Sequence, residues 1–174
     1  MFRESSRPLG RAAALVASLA LLVLGAAVPA QADVPEEHCV ILLGDDAEQL
    51  FCAATVEKAD AAFVEGTGLT RVESADEVGP SVVYTLAVLY ADASYTGSSY
   101  AFVRSTACNG VTLSSVANLA PPGLNDAVSS FLTYSGCTVR LYADISYGGS
   151  TYGYTTSQST LPTFNDVASS ARAR

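Results

Sequence analysis

The chain has 174 residues, a formal net charge of −8 and a single histidine, His38. This acidity argues against nucleic acid and anionic membrane surfaces as partners. A nucleophilic serine usually needs a histidine as its base, and the C-terminal half of the chain has none. The sequence therefore predicts that the protein is not an enzyme.

The first 32 residues have the pattern of a secretory signal peptide. Three arginines precede an uncharged, mostly apolar run at 12–28, and a small-x-small cleavage site follows at 30–32. A membrane anchor is the alternative, because the apolar run is nearly long enough to span a bilayer. The cleavage site favours removal, so we expect a secreted, soluble protein. Loss of the three arginines and Glu4 would change its net charge from −8 to −10.

Residues 33–80 form an acidic module that contains no tyrosine. The run 40–43 is typical of a short strand, and 50–52 of a returning hairpin arm. Apolar residues from Val56 to Val64 have the spacing of a short amphipathic helix, which glycines at 66 and 68 would end. Fewer than fifty residues bury little apolar surface alone, so this module is expected to lean on the rest of the chain.

Four cysteines predict disulfide bonds, because an even number in a small secreted chain is typical of a disulfide framework. Three connectivities are possible. We favour Cys39 with Cys52 and Cys108 with Cys137, since each pair stays within one compositional zone.

Residues 81–174 contain an internal duplication. A Tyr-x-x-x-x-Tyr-x-Gly pattern that begins at Tyr90 recurs 52 residues later, and Asn-Asp-x-x-Ser-Ser at 125–130 recurs 40 residues later. The first repeat therefore holds about twelve extra residues, which we expect to form a loop within 108–123. Strands are predicted at 82–90, 100–103 and 138–142, with a short final strand at 170–174 that is expected to fray. This pattern predicts an all-β sandwich of two Greek keys.

The paired motifs resemble those of microbial βγ-crystallin domains. In that family each Greek key opens with an aromatic-glycine hairpin, and the polar hexapeptide is the calcium signature. The resemblance covers residues 84–174 and implies a double Greek-key β-sandwich. A related branch of this fold comprises secreted metalloproteinase inhibitors of actinobacteria, which are also stapled by disulfides.

The resemblance implies two calcium sites. In the first hexapeptide it implies the Asp126 carboxylate, the Ala127 carbonyl and the Ser129 hydroxyl, and in the second the Asp166 carboxylate, the Val167 carbonyl and the Ser169 hydroxyl. A carbonyl from the hairpin of the opposite repeat, near Ala91 and Ala143, would complete each site. The alternative is turn chemistry, since Asn, Asp and Ser side chains also bond their own backbone. One carboxylate per site predicts weak binding, on the order of 10⁻⁵ to 10⁻³ M.

Three non-catalytic functions remain open. The first is a calcium-binding extracellular module, expected to be a monomer with a structural or interaction role. The second is inhibition of a secreted metalloproteinase through the loop at 108–123 or the hairpin between Cys39 and Cys52. The third is a toxin-like module whose acidic zone docks on a basic target.

Overall fold

The N-terminal part of the protein forms a hairpin, a helix and a short strand. The computed structural model describes residues 35–44 and 48–174, so the predicted signal peptide at 1–32 lies outside the described residues. The elements of this part are strands β1 (His38–Leu43), β2 (Glu48–Ala53) and β3 (Thr70–Val72) and helix α1 (Val56–Thr67).

Helix α1 begins and ends where the sequence predicts. The Thr55 hydroxyl accepts a hydrogen bond from the Lys58 amide over 3.3 Å, which caps the N-terminus. Gly68 ends the helix in the left-handed region at φ 68°, a conformation that costs glycine little. Buried Ala59 and Phe63 lie one turn apart on the same face. No helix in the described ranges is long and apolar enough to cross a membrane.

The remaining residues form the duplicated domain. Its elements, in chain order, are β4 (Val82–Asp92), β5 (Thr96–Arg104), β6 (Ser114–Val116), β7 (Ser130–Thr133), β8 (Val139–Tyr142), a 3-10 turn (Ile145–Tyr147), β9 (Thr151–Thr155) and β10 (Ser170–Ala173).

The strands form two sheets, and each repeat contributes a segment to the sheet that the other repeat mainly forms. The first sheet has the order β2-β1-β5-β4-β3, with β7 also paired to β4, and the second has the order β6-β10-β8-β9. Strand β6 follows the first hairpin yet joins the second sheet, while Gln158 of the second repeat bridges Phe131 in the first sheet. This exchange makes each repeat a Greek key, and it confirms the predicted double Greek-key sandwich.

Apolar side chains fill two layers, one on each face of the first sheet. The main core lies between the sheets and includes the fully buried Leu89, Phe131 and Leu141. A second cluster, which includes the fully buried Phe63 of α1, covers the outer face of β4 and β5. Because β4 is covered on both faces, its sequence is a nearly continuous apolar run rather than an alternating one.

Two expectations about the duplicated domain are wrong. The final strand does not fray: β10 lies between β6 and β8, and its Ala171 and Ala173 are fully buried. Nor is the whole of 108–123 a loop, because β6 lies within it and Leu119 is fully buried. Pairing with partners distant in the sequence fixes both segments.

Candidate functional site

The two Asn-Asp-x-x-Ser-Ser segments lie side by side where the repeats meet. Asp126 donates its amide hydrogen to the carbonyl of Ala168 over 2.9 Å, and Asp166 donates its own to the carbonyl of Val128 over 3.1 Å. Both aspartates adopt the left-handed region, at φ 54° and 55°, which Asp tolerates better than most residues. The segments are thus related by the symmetry of the duplication.

Each candidate carboxylate is paired with a serine of the other repeat. The Ser169 hydroxyl donates to Asp126 Oδ1 over 2.8 Å, and the Ser129 hydroxyl donates to Asp166 Oδ1 over 3.2 Å. The second oxygen of Asp126 accepts from the Asn125 side chain over 2.9 Å. Both aspartates are exposed, whereas both serines are buried.

The arrangement departs from the grouping by hexapeptide that the resemblance implied. Asp126 is hydrogen-bonded to Ser169 rather than to Ser129. The reason is that the two hexapeptides lie side by side and are related by the symmetry of the duplication. The Ser169 amide donates to the carbonyl of Tyr142 over 2.9 Å, which places this serine next to Ala143. Hence one group comprises Asp126, Ser169 and the neighbouring hairpin residue Ala143 of the opposite repeat.

The equivalent group comprises Asp166, Ser129 and Ala91. The Ser129 amide donates to the carbonyl of Tyr90 over 3.0 Å, beside Ala91. Ala127 and Val167, whose carbonyls are the remaining predicted ligands, are half-buried beside their aspartates. Carboxylate, hydroxyl and carbonyl oxygens are the ligands that Ca²⁺ prefers, with water completing the shell.

The last serine of each hexapeptide fastens a folded hairpin. The Ser130 hydroxyl donates to the Asp92 carbonyl over 2.6 Å and accepts from the Tyr95 amide over 3.0 Å. Ser170 makes the same two bonds, to Asp144 and from Tyr147, over 2.6 and 3.0 Å. This role was not predicted from the sequence, although the serine that recurs at the sixth position of the motif indicates it.

The carboxylates of Asp92 and Asp144 pack against the hairpin glycines. A Cβ atom added to Gly97 would lie 2.5 Å from Asp92 Oδ2, and one added to Gly149 would lie 2.7 Å from Asp144 Oδ2. Both glycines also have positive φ, 77° and 72°, a conformation that glycine adopts at little cost. Asp92 and Asp144 therefore form part of the hairpin structure.

Both disulfides join the pairs favoured from the sequence. Cys39 is bonded to Cys52, and Cys108 to Cys137. Glu37 lies close enough to the first pair to suggest a metal site, but sulfur atoms in a disulfide are not thiolate ligands.

An exposed loop follows Cys108. The Asn109 carboxamide oxygen accepts from the amides of Val111 and Thr112, over 2.9 and 2.8 Å, which holds the loop in a tight turn. Val111 is 81% exposed and Leu113 43% exposed. The disulfide fixes one end of the loop, and the pairing of β6 with β10 fixes the other.

The fold and these motifs define the class of protein as a βγ-crystallin-like domain. A family model described as peptidase inhibitor family I36 matches residues 89–154, which include both folded hairpins and the exposed loop. No curated protein matches the chain. The match agrees with the predicted resemblance to an inhibitor branch of this fold, and with the prediction that the chain is not an enzyme.

Solved βγ-crystallin domains are similar to about half of the chain. One from Flavobacterium johnsoniae has 31% identity over 51% of this chain and 93% of its own, with a TM-score of 0.40. One from Clostridium beijerinckii has 22% identity over 51% of this chain and 95% of its own, with a TM-score of 0.40. A βγ-crystallin from Ciona intestinalis has 22% identity over 49% and 94%, with a TM-score of 0.38.

Proposed function

We propose that this protein is a secreted inhibitor of a peptidase, and the predicted resemblance to metalloproteinase inhibitors makes a metallopeptidase the first target to test. The match of residues 89–154 to peptidase inhibitor family I36 carries this proposal. The two disulfides support an extracellular location, because disulfides persist in oxidising compartments. A signal peptide at 1–32 would provide the route to that location.

The loop 109–113 is the element best suited to enter a peptidase cleft. An inhibitory loop binds tightly when its backbone is ordered before binding, because little conformational entropy is then lost. This loop is ordered by the Cys108–Cys137 disulfide, by the Asn109 side chain and by β6. Its apolar residues, Val111 and Leu113, are exposed and available to specificity pockets.

Inhibition should be measured against a panel of secreted metallo- and serine peptidases, with the variant Val111→Asp. A charge at this position should weaken inhibition about tenfold or more, since an apolar pocket disfavours an unpaired carboxylate. Val78→Asp is the matched control, because Val78 is exposed to a similar extent, 83%, in a different loop. Absence of inhibition across the panel would overturn the proposal, and equal losses in the two variants would exclude this loop.

We also propose that the domain binds two calcium ions, one in each aspartate–serine group. The cross-repeat bonds between Ser169 and Asp126 and between Ser129 and Asp166 support this proposal, because they gather oxygen ligands at two equivalent positions. Binding to the folded state at a hundredfold excess over Kd stabilises it by about 2.7 kcal/mol per site. A melting temperature that is equal in chelator and in millimolar calcium would contradict the proposal.

A further inference from the structure

Three arginines lie on the outer face of the second sheet. Residues alternate between the two faces of a strand, so the buried Val139, Leu141, Ala171 and Ala173 face the core. The residues between and beyond them face outward: these are Arg140, Arg172 and Arg174. They are half of the basic residues in the described part of the chain, whose others are Lys58, Arg71 and Arg104.

A tyrosine joins this face because of an irregularity in the sheet. The register of β8 and β9 shifts between Val139 and Leu141, so that Leu141 pairs with Tyr152 but Val139 pairs with Thr155. The shift leaves Tyr152 packed on the core and turns Tyr154 outward. Tyr154 thereby lies beneath the arginines instead of inside the domain.

The guanidinium groups are stacked on tyrosine rings. Arg172 lies 3.8 Å from the ring centre of Tyr147 and 5.6 Å from that of Tyr142. Arg174 and Arg140 lie 3.8 and 4.7 Å from the ring centre of Tyr154. Stacking of this kind orients a guanidinium plane while its edge remains available to donate hydrogen bonds. We call these six residues the arginine–tyrosine face.

No side-chain carboxylate in the described part of the chain forms an ion pair with the arginine–tyrosine face. Among the described residues, the ion pairs are His38 with Glu36 and Arg71 with Asp60, both in the N-terminal part. Arg172 and Arg140 are directly opposite each other on neighbouring strands, an arrangement in which like charges are destabilising. The face therefore carries a positive charge that intramolecular pairing does not explain, on a chain whose net charge is −8.

We propose that the arginine–tyrosine face binds a polymer with closely spaced phosphate or sulfate groups. Guanidinium donors match the oxygens of these groups and can bond two of them at once. Neighbouring strands lie about 4.8 Å apart, and alternate residues of one strand about 6.7 Å apart. Arg140, Arg172 and Arg174 consequently form a compact triangle that a flexible polyanion could contact with consecutive groups. This binding is independent of the proposed peptidase inhibition and calcium binding.

Binding should be measured by calorimetry with two probes, inorganic polyphosphate and heparin, at several salt concentrations. Three contacts predict that log K falls with log salt concentration with a slope of about −2. Binding of polyphosphate alone would identify phosphate as the ligand group, and binding of heparin alone would identify sulfate. Absence of binding by both probes at low salt would overturn the proposal, as would equally tight binding of polyglutamate.

The double variant Arg172→Gln, Arg174→Gln should bind the effective probe about tenfold or more weakly, because it loses two charge-assisted contacts. Lys58→Gln is the control, since it removes one positive charge from an exposed position on α1. An equal loss per charge in the control would mean that net charge alone governs binding and would overturn the proposal.

If the double glutamine variant fails to fold, the double variant Arg172→Lys, Arg174→Lys tests whether the guanidinium groups at these positions are required for binding. It keeps the charge but loses the planar fork of donors. We expect a severalfold loss of affinity at an unchanged melting temperature. Unchanged affinity would show that stacked guanidinium groups are not the recognition element.

Discussion

Ser169 of the second repeat donates a hydrogen bond to Asp126 of the first, over 2.8 Å. The bond between Ser129 and Asp166 runs in the opposite direction between the repeats, over 3.2 Å. Each candidate calcium position is therefore assembled from both repeats. An ion bound there would stabilise the packing of the two Greek keys against each other, since neither repeat alone holds a complete group.

Pairs of substitutions can test this sharing. Asp126→Ala with Ser169→Ala alters one group only, so one calcium ion should remain in a calorimetric titration. Asp126→Ala with Ser129→Ala alters both groups and should abolish or severely weaken both binding events. If instead the second pair leaves one ion and the first leaves none, the ligands are grouped by hexapeptide and the cross-repeat arrangement does not describe the sites.

Ser130 should contribute to stability independently of calcium. It is fully buried and links the Asp92 carbonyl to the Tyr95 amide across the first hairpin. Replacement by alanine leaves both groups without this partner, which should lower the free energy of unfolding by about 1–3 kcal/mol. Urea denaturation in chelator provides the measurement. Exposed Ser150→Ala is the control and should change stability by less than about 0.5 kcal/mol.

The sequence predicted the repeated parts of this fold better than the unique parts. Two copies of the hairpin and hexapeptide predicted the Greek keys, because each copy contains its own turn residues next to β-branched and aromatic strand residues. Strand β6 was missed, since its three residues form a strand only through pairing with β10, more than fifty residues away. Such pairing leaves no local pattern.

The residues that make up the candidate calcium groups were predicted, but which aspartate pairs with which serine was not. In a symmetric domain, the distance along the chain does not reveal whether Asp126 lies beside Ser129 or Ser169. The outward position of Tyr154 was equally inaccessible, because it depends on a register shift between β8 and β9. Both features arise from tertiary packing.

Ionisation of the Tyr134 phenol should lower the stability of the protein in alkaline solution. Burial, followed by repulsion from the Glu73 carboxylate, raises the pKa of Tyr134 from 10.0 to about 12. The folded state therefore retains the phenol proton more strongly than the unfolded chain. This contribution to stability is fully present below pH 10 and is lost as the pH rises towards 12.

The variant Tyr134→Phe removes this dependence. Between pH 10 and 12 its free energy of unfolding should fall less steeply than that of the parent protein. The difference should be on the order of 1 kcal/mol, after allowance for solvent screening at a half-buried position. Urea denaturation at neutral pH is the control, because the phenol is protonated in both states there. Parallel curves above pH 10 would contradict the prediction.

Removing the disulfides one at a time distinguishes the two candidate inhibitory elements, the loop 109–113 and the β1–β2 hairpin. The bonds close segments with sequence separations of 13 and 29 residues. Each should contribute about 3–4 kcal/mol to stability by restricting the unfolded chain.

We expect Cys108→Ala with Cys137→Ala to weaken peptidase inhibition markedly, because loop 109–113 then loses one of its two anchors. Cys39→Ala with Cys52→Ala should lower stability by a similar amount but leave inhibition intact. Inhibition constants measured well below both melting temperatures would distinguish these effects. If only the second variant lost inhibition, the β1–β2 hairpin would be the inhibitory element, and Val111 would have no part in it.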